Sequence, residues 1–285
     1  MTILFAYDVE SKNEQSKKFL VEINNYHTDI NVPYTIFITG ETAIVCNKEL
    51  ADISSNPLCC IGQHTNKHIP IKSLFTNPDR KQRYNFDAEF GESIFISGFG
   101  KNLVKRDIFD ASEAIEKITG YKPTCFCAPY GFFNGLSESA EILEILREAG
   151  IYCITTDTRS PNGCNSATNK ERPYFYGKQG FAEILEVPSC GYQDDLSYAC
   201  FAGRFDYAEY IEEKILKNTE VITVKTHDFY LGKEFSFENE KKQFLDKIIT
   251  CANKNYTKFS TYEKVYAEYF KEAIVERGQA RAKKI

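Results

Sequence analysis

The sequence lacks several features that would place the protein in a special class. It has no tryptophan, one methionine and only four histidines among 285 residues. No apolar run is long enough to span a membrane, and Met1 leads into ILFAYDVE without the charged and apolar regions of a signal peptide. We therefore expect no transmembrane segment and a cytoplasmic location.

An excess of positive charge is also missing. The net charge is -5 and the pI is about 5.6, so the chain has no general attraction for nucleic acid or anionic membranes. The one basic stretch is ERGQARAKKI at 276–285, which we interpret as a solvated chain end rather than a membrane contact. Nucleic acid is not an expected partner.

The ten cysteines lack the spacing of a structural zinc site. No CxxC pair is followed by a matching second pair, and Cys59 and Cys60 are adjacent inside an apolar run. They are scattered along a long chain rather than concentrated in a short secreted one. Most of them are expected to be buried thiols that act as small hydrophobic side chains.

What is present is the composition of an ordinary globular protein, with 42% hydrophobic and 26% charged residues. Short apolar runs alternate with amphipathic segments along most of the chain. We predict strands at 3–7, 34–39, 58–62, Thr124–Ala128, Ile151–Thr155, Glu183–Val187, Val221–Lys225 and Lys258–Thr261. We predict helices near 12–25, near Lys48, at 101–119, Leu136–Ala149, Tyr207–Leu216, near Phe237–Ala252 and at the C-terminus. This alternation indicates one α/β domain over 1–285, with a largely parallel sheet closed or nearly closed into a barrel.

One segment interrupts the alternation. Residues from about 69 to 99 are polar, aromatic and irregular, and the segment is longer than ordinary connections. We interpret it as an insertion. It is either a surface excursion or a lid beside a functional site, and the sequence favours neither.

The strongest chemical signal is IGQHTNKH at 61–68. His64 and His68 stand four residues apart, which on a helix or helical turn places both imidazoles on one face, as a metal ion requires. With so few histidines in the chain, chance gives such a pair in only about a few per cent of cases. The competing interpretation is two surface histidines.

Two other segments carry matching chemistry at strand ends. Asp8 and Glu10 close the first strand and share one side of an extended segment, so one can bind metal while the other acts as a base. Such carboxylates also commonly cap the next helix. His227 follows the Val/Ile/Thr-rich run VITVKTH, which in a parallel barrel delivers it to the carboxyl edge where active sites form.

The ordered set of motifs resembles the polysaccharide deacetylase family, also known by its NodB homology and similar to carbohydrate esterase family 4. The motifs are YDVE at 7–10, HTNKH at 64–68, APYG at 128–131, TTDTR at 155–159 and KTHD at 225–228. The resemblance covers residues 3 to about 270. It implies a distorted (β/α) barrel of the NodB type and a metal-dependent hydrolase that removes an N-acetyl group from an amino sugar.

The resemblance also implies a role for each matching position. Asp8 resembles the catalytic base and His227 the general acid, with Asp157 orienting His227 and raising its pKa. The metal ligands would be Glu10, His64 and His68. Pro129, Tyr130 and Gly131 would bind the substrate, with a backbone N–H near Tyr130 facing the developing oxyanion.

The chain departs from the family pattern at three places. The family commonly has an arginine beside the base where this chain has Cys127, so the pKa of Asp8 should be higher than in standard members unless another cation, such as Arg159, compensates. The acidic pair is interrupted by Val9, which leaves open whether Asp8 or Glu10 binds the metal. The tryptophan that often follows the Asp157 motif is missing, so one wall of the acetyl pocket is unassigned.

The resemblance predicts a cofactor and a substrate class but not their identity. The cofactor is one divalent metal ion, zinc before cobalt, nickel or iron. The substrate is an N-acylated amino sugar that is nucleotide-linked, lipid-linked or part of a nascent glycan. The alternatives are a catalytically weak or inactive sugar-binding relative, or a deacylase for a formyl or O-acetyl group. The oligomeric state is open.

Overall fold

The computed structural model describes residues 1–76, 94–160, 167–201, 206–229, 237 and 241–282. The strands are Thr2–Val9 (β1), Tyr34–Ile38 (β2), Cys59–Gln63 (β3), Leu74–Thr76 (β4), Ile94–Ile96 (β5), Cys125–Phe132 (β6), Cys153–Asp157 (β7), Tyr174–Tyr176 (β8), Phe181–Glu186 (β9), Val221–His227 (β10) and Lys258–Ser260 (β11). The helices are Glu14–Asp29 (α1), Gly40–Val45 (α2), Asn47–Ser54 (α3), Lys101–Thr119 (α4), Ala140–Glu148 (α5), Asp195–Phe201 (α6), Tyr207–Leu216 (α7), Gln243–Lys254 (α8) and Tyr262–Ala282 (α9).

The main sheet has the strand order β10-β1-β2-β3-β6-β7-β9-β8, and β11 also pairs with β1. Every pairing is parallel except β8 with β9, which confirms the predicted largely parallel sheet. In the described part of the chain no ladder joins the two ends of this order. Instead, the backbone N–H of Cys190, after β9, donates to Thr223 Oγ1 of β10 at 2.9 Å. This hydrogen bond thus connects the segment after β9 with β10.

Parallel strands connected by helices have both faces covered, which explains why the strand sequences are apolar throughout. Seven of the eight residues of β1 are buried, and all five of β2. The polar residues that interrupt these buried runs therefore mark positions with a specific partner. The carboxyl ends of β1, β3, β6 and β10 meet at one edge, which is where such residues concentrate.

Most predicted elements are present, with shifted ends. The helix predicted at Leu136–Ala149 begins only at Ala140, because Asn134 and Gly135 adopt positive φ and the N–H of Leu136 donates to Tyr176 Oη. Helix α4 spans the predicted residues and ends at Gly120, whose φ of 80° is the left-handed conformation that favours glycine.

The predicted insertion at 69–99 is described only at its two ends. There, β4 and β5 form an antiparallel pair, with Phe75 opposite Phe95. Ile69, Ile71 and Leu74 are buried in the core cluster that also contains Ile108 of α4. The centre of the insertion, 77–93, lies outside the described residues.

No helix in the described ranges is long and apolar enough to cross a membrane. The eight described cysteines are free thiols, and six of them are buried, in agreement with the prediction for most of them.

His27 is the one histidine that lies entirely in the core, between α1 and the sheet. Its Nδ1 donates to the carbonyl oxygen of Val32 at 2.9 Å, so Nε2 accepts from the hydroxyl of Tyr7 at 2.7 Å. Burial outweighs the hydrogen bond to Val32 and lowers the pKa of His27 to about 3. The residue is therefore neutral in the folded protein.

We expect His27 to destabilise the fold in acid. In the unfolded chain its pKa is about 6.5, so the unfolded state binds the proton first and stability falls with pH below that value. Between about pH 7 and pH 5 this linkage should cost about 2 kcal/mol. The measurement is the free energy of unfolding at both pH values for wild type and His27→Gln. Equal pH dependence in the two proteins would contradict the assignment.

Candidate active site

The carboxyl ends of several parallel strands bring the predicted site residues together. In the ladder between β1 and β10, Asp8 lies directly opposite His227. Glu10 follows β1, and His64 follows β3. Residues that are far apart in sequence thus share one edge of the sheet, as the topology of a parallel barrel requires.

Glu10, His64 and His68 form a compact group of metal-binding side chains. Glu10 Oε2 lies 3.2 Å from His64 Nε2 and 2.8 Å from His68 Nε2, and the two imidazole ring centres are 5.0 Å apart. One ligand atom from each residue lies within 4.8 Å of the others. Two imidazoles with one carboxylate are a donor set that zinc and other divalent metals accept.

The segment that carries the two histidines is a loop and not the predicted helical turn. Thr65 and His68 both adopt a φ of 59°, which no right-handed helix allows. Asp107 of α4 stabilises this loop by accepting from the backbone N–H of Asn66 at 2.8 Å and of Lys67 at 3.4 Å. The two histidines therefore come together as predicted, but through a loop with positive φ instead of a helical turn.

The hydrogen bonding of His64 suits a metal ligand. Its Nδ1 lies 2.8 Å from the carbonyl oxygen of Cys127, which can only accept, so Nδ1 carries the hydrogen and Nε2 faces Glu10. Burial disfavours a charge on His64, but Asp8 and other neighbours outweigh this effect and raise its pKa well above the ordinary value. The position thus attracts positive charge, which a divalent cation can supply in place of a proton.

Asp8 has a buried cation beside it, although the expected arginine is absent. Lys225 of β10 is fully buried, and its Nζ lies 3.7 Å from Asp8 Oδ2 and 3.0 Å from Cys127 Sγ. Burial would raise the pKa of Asp8, but Lys225, His64 and His227 together lower it below the ordinary value. Lys225 therefore supplies beside Asp8 the positive charge that Cys127 cannot.

Arg159, which the sequence suggested as the compensating cation, has a different position. Its Nε donates to the carbonyl of Gly131 and a terminal nitrogen donates to the carbonyl of Tyr130, both at 2.9 Å. Tyr130 and Gly131 have φ values of 66° and 61°, and the pairing of β6 with β7 is irregular here. The APYG segment is thus a bulge inside a strand rather than a simple turn, and Arg159 stabilises it.

This bulge lies beside the metal-binding group. The rings of Tyr130 and His68 are 5.1 Å apart between centres. Since the carbonyl and the following N–H of a trans peptide point in opposite directions, the N–H of Gly131 points away from Arg159. Tyr130 is thereby placed at the edge of the site, in the segment that also contains Pro129 and Gly131.

Replacing Gly131 by alanine should disturb the site more than a typical glycine substitution. A Cβ at Gly131 would lie 1.7 Å from Thr158 Oγ1, whereas at Gly180, which also has positive φ, it would meet nothing within 4 Å. Both Gly→Ala variants carry a left-handed penalty of about 1–2 kcal/mol. Only Gly131→Ala should also lower activity, by about tenfold or more. Equal activity of the two variants would show that the bulge does not position the substrate.

Asp157 lies at the end of β7, as predicted, but does not contact His227. Its carboxylate accepts from Tyr174 Oη at 2.9 Å and pairs with Lys170 Nζ at 2.8 Å. His227 Nε2 instead lies 3.8 Å from Asp194 and 4.0 Å from Asp8. The expectation that Asp157 orients His227 needs correction, because the carboxylates beside His227 come from the segment after β9 and from β1.

Several residues around the site were not predicted. Asp228 accepts from the N–H and hydroxyl of Ser11 and from the hydroxyl of Ser16, and so holds the segment after β1 in place. Lys225 could have been found, because a lysine two residues before His227 in an apolar strand must point to the same side of the sheet. Asp194 had no sequence signal, since it lies in a loop.

Comparison with known proteins agrees with the motifs. The family model for polysaccharide deacetylase matches residues 3–154. No curated protein sequence matches the chain significantly.

Solved structures share the fold at low sequence identity. A putative polysaccharide deacetylase from Mycobacterium smegmatis is 14% identical with a TM-score of 0.64, covering 95% of this chain and 91% of that one. Puue allantoinase is 12% identical with a TM-score of 0.66, covering 94% and 90%. A CE4 family pseudoenzyme from Bacillus anthracis is 12% identical with a TM-score of 0.55, covering 93% and 65%. These identities establish similarity of fold alone.

Proposed function

The chain belongs to the polysaccharide deacetylase family, and from this premise we propose that it is a metal-dependent hydrolase that removes an N-acetyl group from an amino sugar. The observation that carries the proposal is the convergence of Glu10, His64 and His68 beside the opposed pair Asp8 and His227. A metal-binding group next to a possible base and a possible acid is the equipment that amide hydrolysis needs.

Glu10, His64 and His68 would hold one divalent metal ion. When bound, the ion would supply Lewis-acid activation of the amide carbonyl and of water. Glu10 is favoured over Asp8 as the carboxylate ligand, because its Oε2 lies within 3.2 Å of both imidazoles. We propose zinc as the metal, with cobalt, nickel and iron as alternatives for the same donor set.

Asp8 then acts as the base. Its Oδ1 is buried without a hydrogen-bond partner among the described residues, and its pKa is lowered, so it is ionised and able to accept a proton from the attacking water. Lys225 stabilises this charge from the interior side. The base therefore starts the reaction in the required ionisation state.

His227 donates a proton to the departing nitrogen. It lies opposite Asp8 in the strand ladder, and its side chain is 12% exposed, so it can reach a substrate that enters from the surface. Asp194 is the carboxylate best placed to orient it. The backbone N–H of the bulge at Tyr130 and Gly131 would stabilise the negative charge that develops on the amide oxygen.

The substrate we propose is a biosynthetic precursor, namely an N-acetylated amino sugar on a nucleotide, on a lipid carrier or in a nascent glycan. This choice follows from the cytoplasmic location expected from the sequence. A formyl or O-acetyl group would meet the same machinery, and the size of the acyl pocket would decide between them.

A second candidate is a sugar-binding protein without turnover. It is favoured by Cys127, which lies beside Asp8 where the family commonly has an arginine, and a CE4 pseudoenzyme shares the fold. The position of Lys225 weakens this candidate, because the base keeps a cation beside it.

Acetate release decides between the two candidates. The protein, freed of metal with a chelator, is incubated with N-acetylglucosamine oligomers and with nucleotide-linked N-acetylated sugars, before and after addition of zinc, cobalt or nickel. We expect acetate release that depends on the added metal. Sugar binding without turnover under every metal condition would support the second candidate, and turnover unaffected by the chelator would exclude the metal mechanism.

A further inference from the structure

Cys127 and Lys225 form a buried thiol–amine pair below the proposed base. The nitrogen of Lys225 lies 3.0 Å from the sulfur of Cys127, and both side chains are fully buried. We propose that this pair is an oxidative modification site, at which a peroxide oxidises Cys127 and Lys225 then forms a covalent sulfur–nitrogen bond with it. The cross-link would switch off the site reversibly.

The surroundings of Cys127 differ from those of the other buried thiols whose contacts are known. Cys60 and Cys125 face each other at 3.9 Å between sulfurs, and Cys153 lies 3.3 Å from the carbonyl oxygen of Tyr262. Cys127 instead has an ammonium group at contact distance. This contact places the Lys225 nitrogen where it can bond to the sulfur once the sulfur is oxidised.

An oxidant would approach this sulfur from the edge of the sheet, past Asp8. Cys127 Sγ lies 3.6 Å from Asp8 Oδ2, so a small molecule that reaches Asp8 is one contact away from the sulfur. Hydrogen peroxide is nearly as small as water. The side chains of His68 and His227, at the same edge, are 25% and 12% exposed, which marks the opening.

The chemistry is balanced in two steps. The sulfur of Cys127 attacks hydrogen peroxide, the O–O bond breaks, and sulfenic acid and water are formed, so that sulfur is oxidised and peroxide reduced. The ammonium group of Lys225 first gives one proton to the oxygen of the sulfenic acid, and the electron pair freed on nitrogen attacks sulfur while the S–O bond breaks. The protonated oxygen leaves as water, and nitrogen then loses a second proton to solvent. A dithiol reductant reverses the step, because its first thiol attacks sulfur and releases the amine, and its second thiol then displaces the first and frees Cys127.

The cross-link has a direct consequence for the proposed function. It removes the positive charge of Lys225 and ties its nitrogen to sulfur, so Asp8 loses the cation 3.7 Å from its Oδ2. The modification itself does not depend on the protein being a deacetylase. Only the activity measurement rests on the proposed function, so failure of the proposed modification can be distinguished from failure of the proposed function.

The test is mass spectrometry of the full chain after brief exposure to hydrogen peroxide, followed by digestion. We expect a linked pair of peptides containing Cys127 and Lys225, lighter by two hydrogens than the sum of the free peptides, that separates on addition of dithiothreitol. The link should be absent in Cys127→Ser and in Lys225→Arg, and present in the matched control Cys125→Ser, which lacks a buried thiol of the same strand.

Oxidation of Cys127 to sulfinic acid or to a disulfide without any linked peptide in the wild-type protein would overturn the proposal. So would a Lys225 cross-link that persists in Cys127→Ser. The measurement on the wild-type protein does not depend on whether the variants fold. Where acetate release is measurable, it should fall by about tenfold or more on oxidation and recover with dithiothreitol, and activity that stays constant in fully cross-linked protein would overturn the switch.

Discussion

Alanine at His64 is expected to remove the bound metal and lower acetate release by more than about 100-fold. Loss of an outer-shell partner of a metal ligand alone typically costs about 10–100-fold in affinity or activity, and His64 is itself one of three proposed ligands. Its Nε2 lies 3.2 Å from Glu10 Oε2, at the centre of the metal-binding group. Removing it leaves one imidazole and one carboxylate, too few to retain the ion during turnover.

The measurement combines metal content after dialysis with acetate release at saturating substrate. Lys67→Ala is the matched control, because Lys67 lies between the two histidines on the same loop and is exposed. Glu10→Gln should resemble His64→Ala in both measurements if Glu10 is the carboxylate ligand. Turnover by His64→Ala close to that of Lys67→Ala would exclude the proposed metal site.

The sequence predicted which residues form the metal-binding group, but it did not predict the geometry by which they meet. His64 and His68 were identified by a spacing that suits a helix, yet they meet across a loop in which Thr65 and His68 have positive φ. Non-glycine residues with positive φ are uncommon, so spacing alone could not predict the backbone path. The loop holds this conformation with help from Asp107, a contact between segments about 40 residues apart.

The pair Asp8 and His227 shows why strand ends can be predicted. Both follow apolar runs, and parallel strands deliver such residues to one edge whatever the details of the loops. Asp157 satisfies the same rule but has Lys170 and Tyr174 as its partners. The position of a residue along a strand therefore predicts at which edge of the sheet its side chain lies. Which residues it contacts there depends on strand order and on loop conformation, which the sequence does not reveal.

Lys225 was the most consequential omission from the sequence interpretation. Cys127 stands where the family commonly has an arginine, and the sequence suggests Arg159 of a nearby motif as the substitute cation. The actual cation comes from β10, 98 residues further along the chain than Cys127. Strand alternation could have shown that Lys225 faces the same side of the sheet as His227, but only the strand order shows that its charge lies beside Asp8.

Methionine at Lys225 is expected to lower acetate release by about 10²–10³-fold on the acidic limb of the pH profile. Removing one partner of a buried ion pair leaves the other charge uncompensated at a cost of about 3–5 kcal/mol, and methionine replaces the lysine stem without its charge. Burial has the largest effect on Asp8 and raises its pKa. Lys225 has the largest of the effects that lower this pKa. Without Lys225 the pKa of Asp8 should rise, so the base would be protonated over more of the acidic range.

The pH profile of kcat/KM separates this electrostatic role from a structural one. In the wild type, activity should fall only as pH drops through the lowered pKa of Asp8, and in Lys225→Met the acidic limb should move to higher pH. Lys225→Arg keeps the charge and should shift the limb less. The double variant Lys225→Met with Cys127→Arg returns a cation to the side of Asp8 that now holds sulfur, and should recover part of the activity. An acidic limb that stays in place in Lys225→Met would show that Lys225 only fills space, and Asp8 would then need another source for its charge stabilisation.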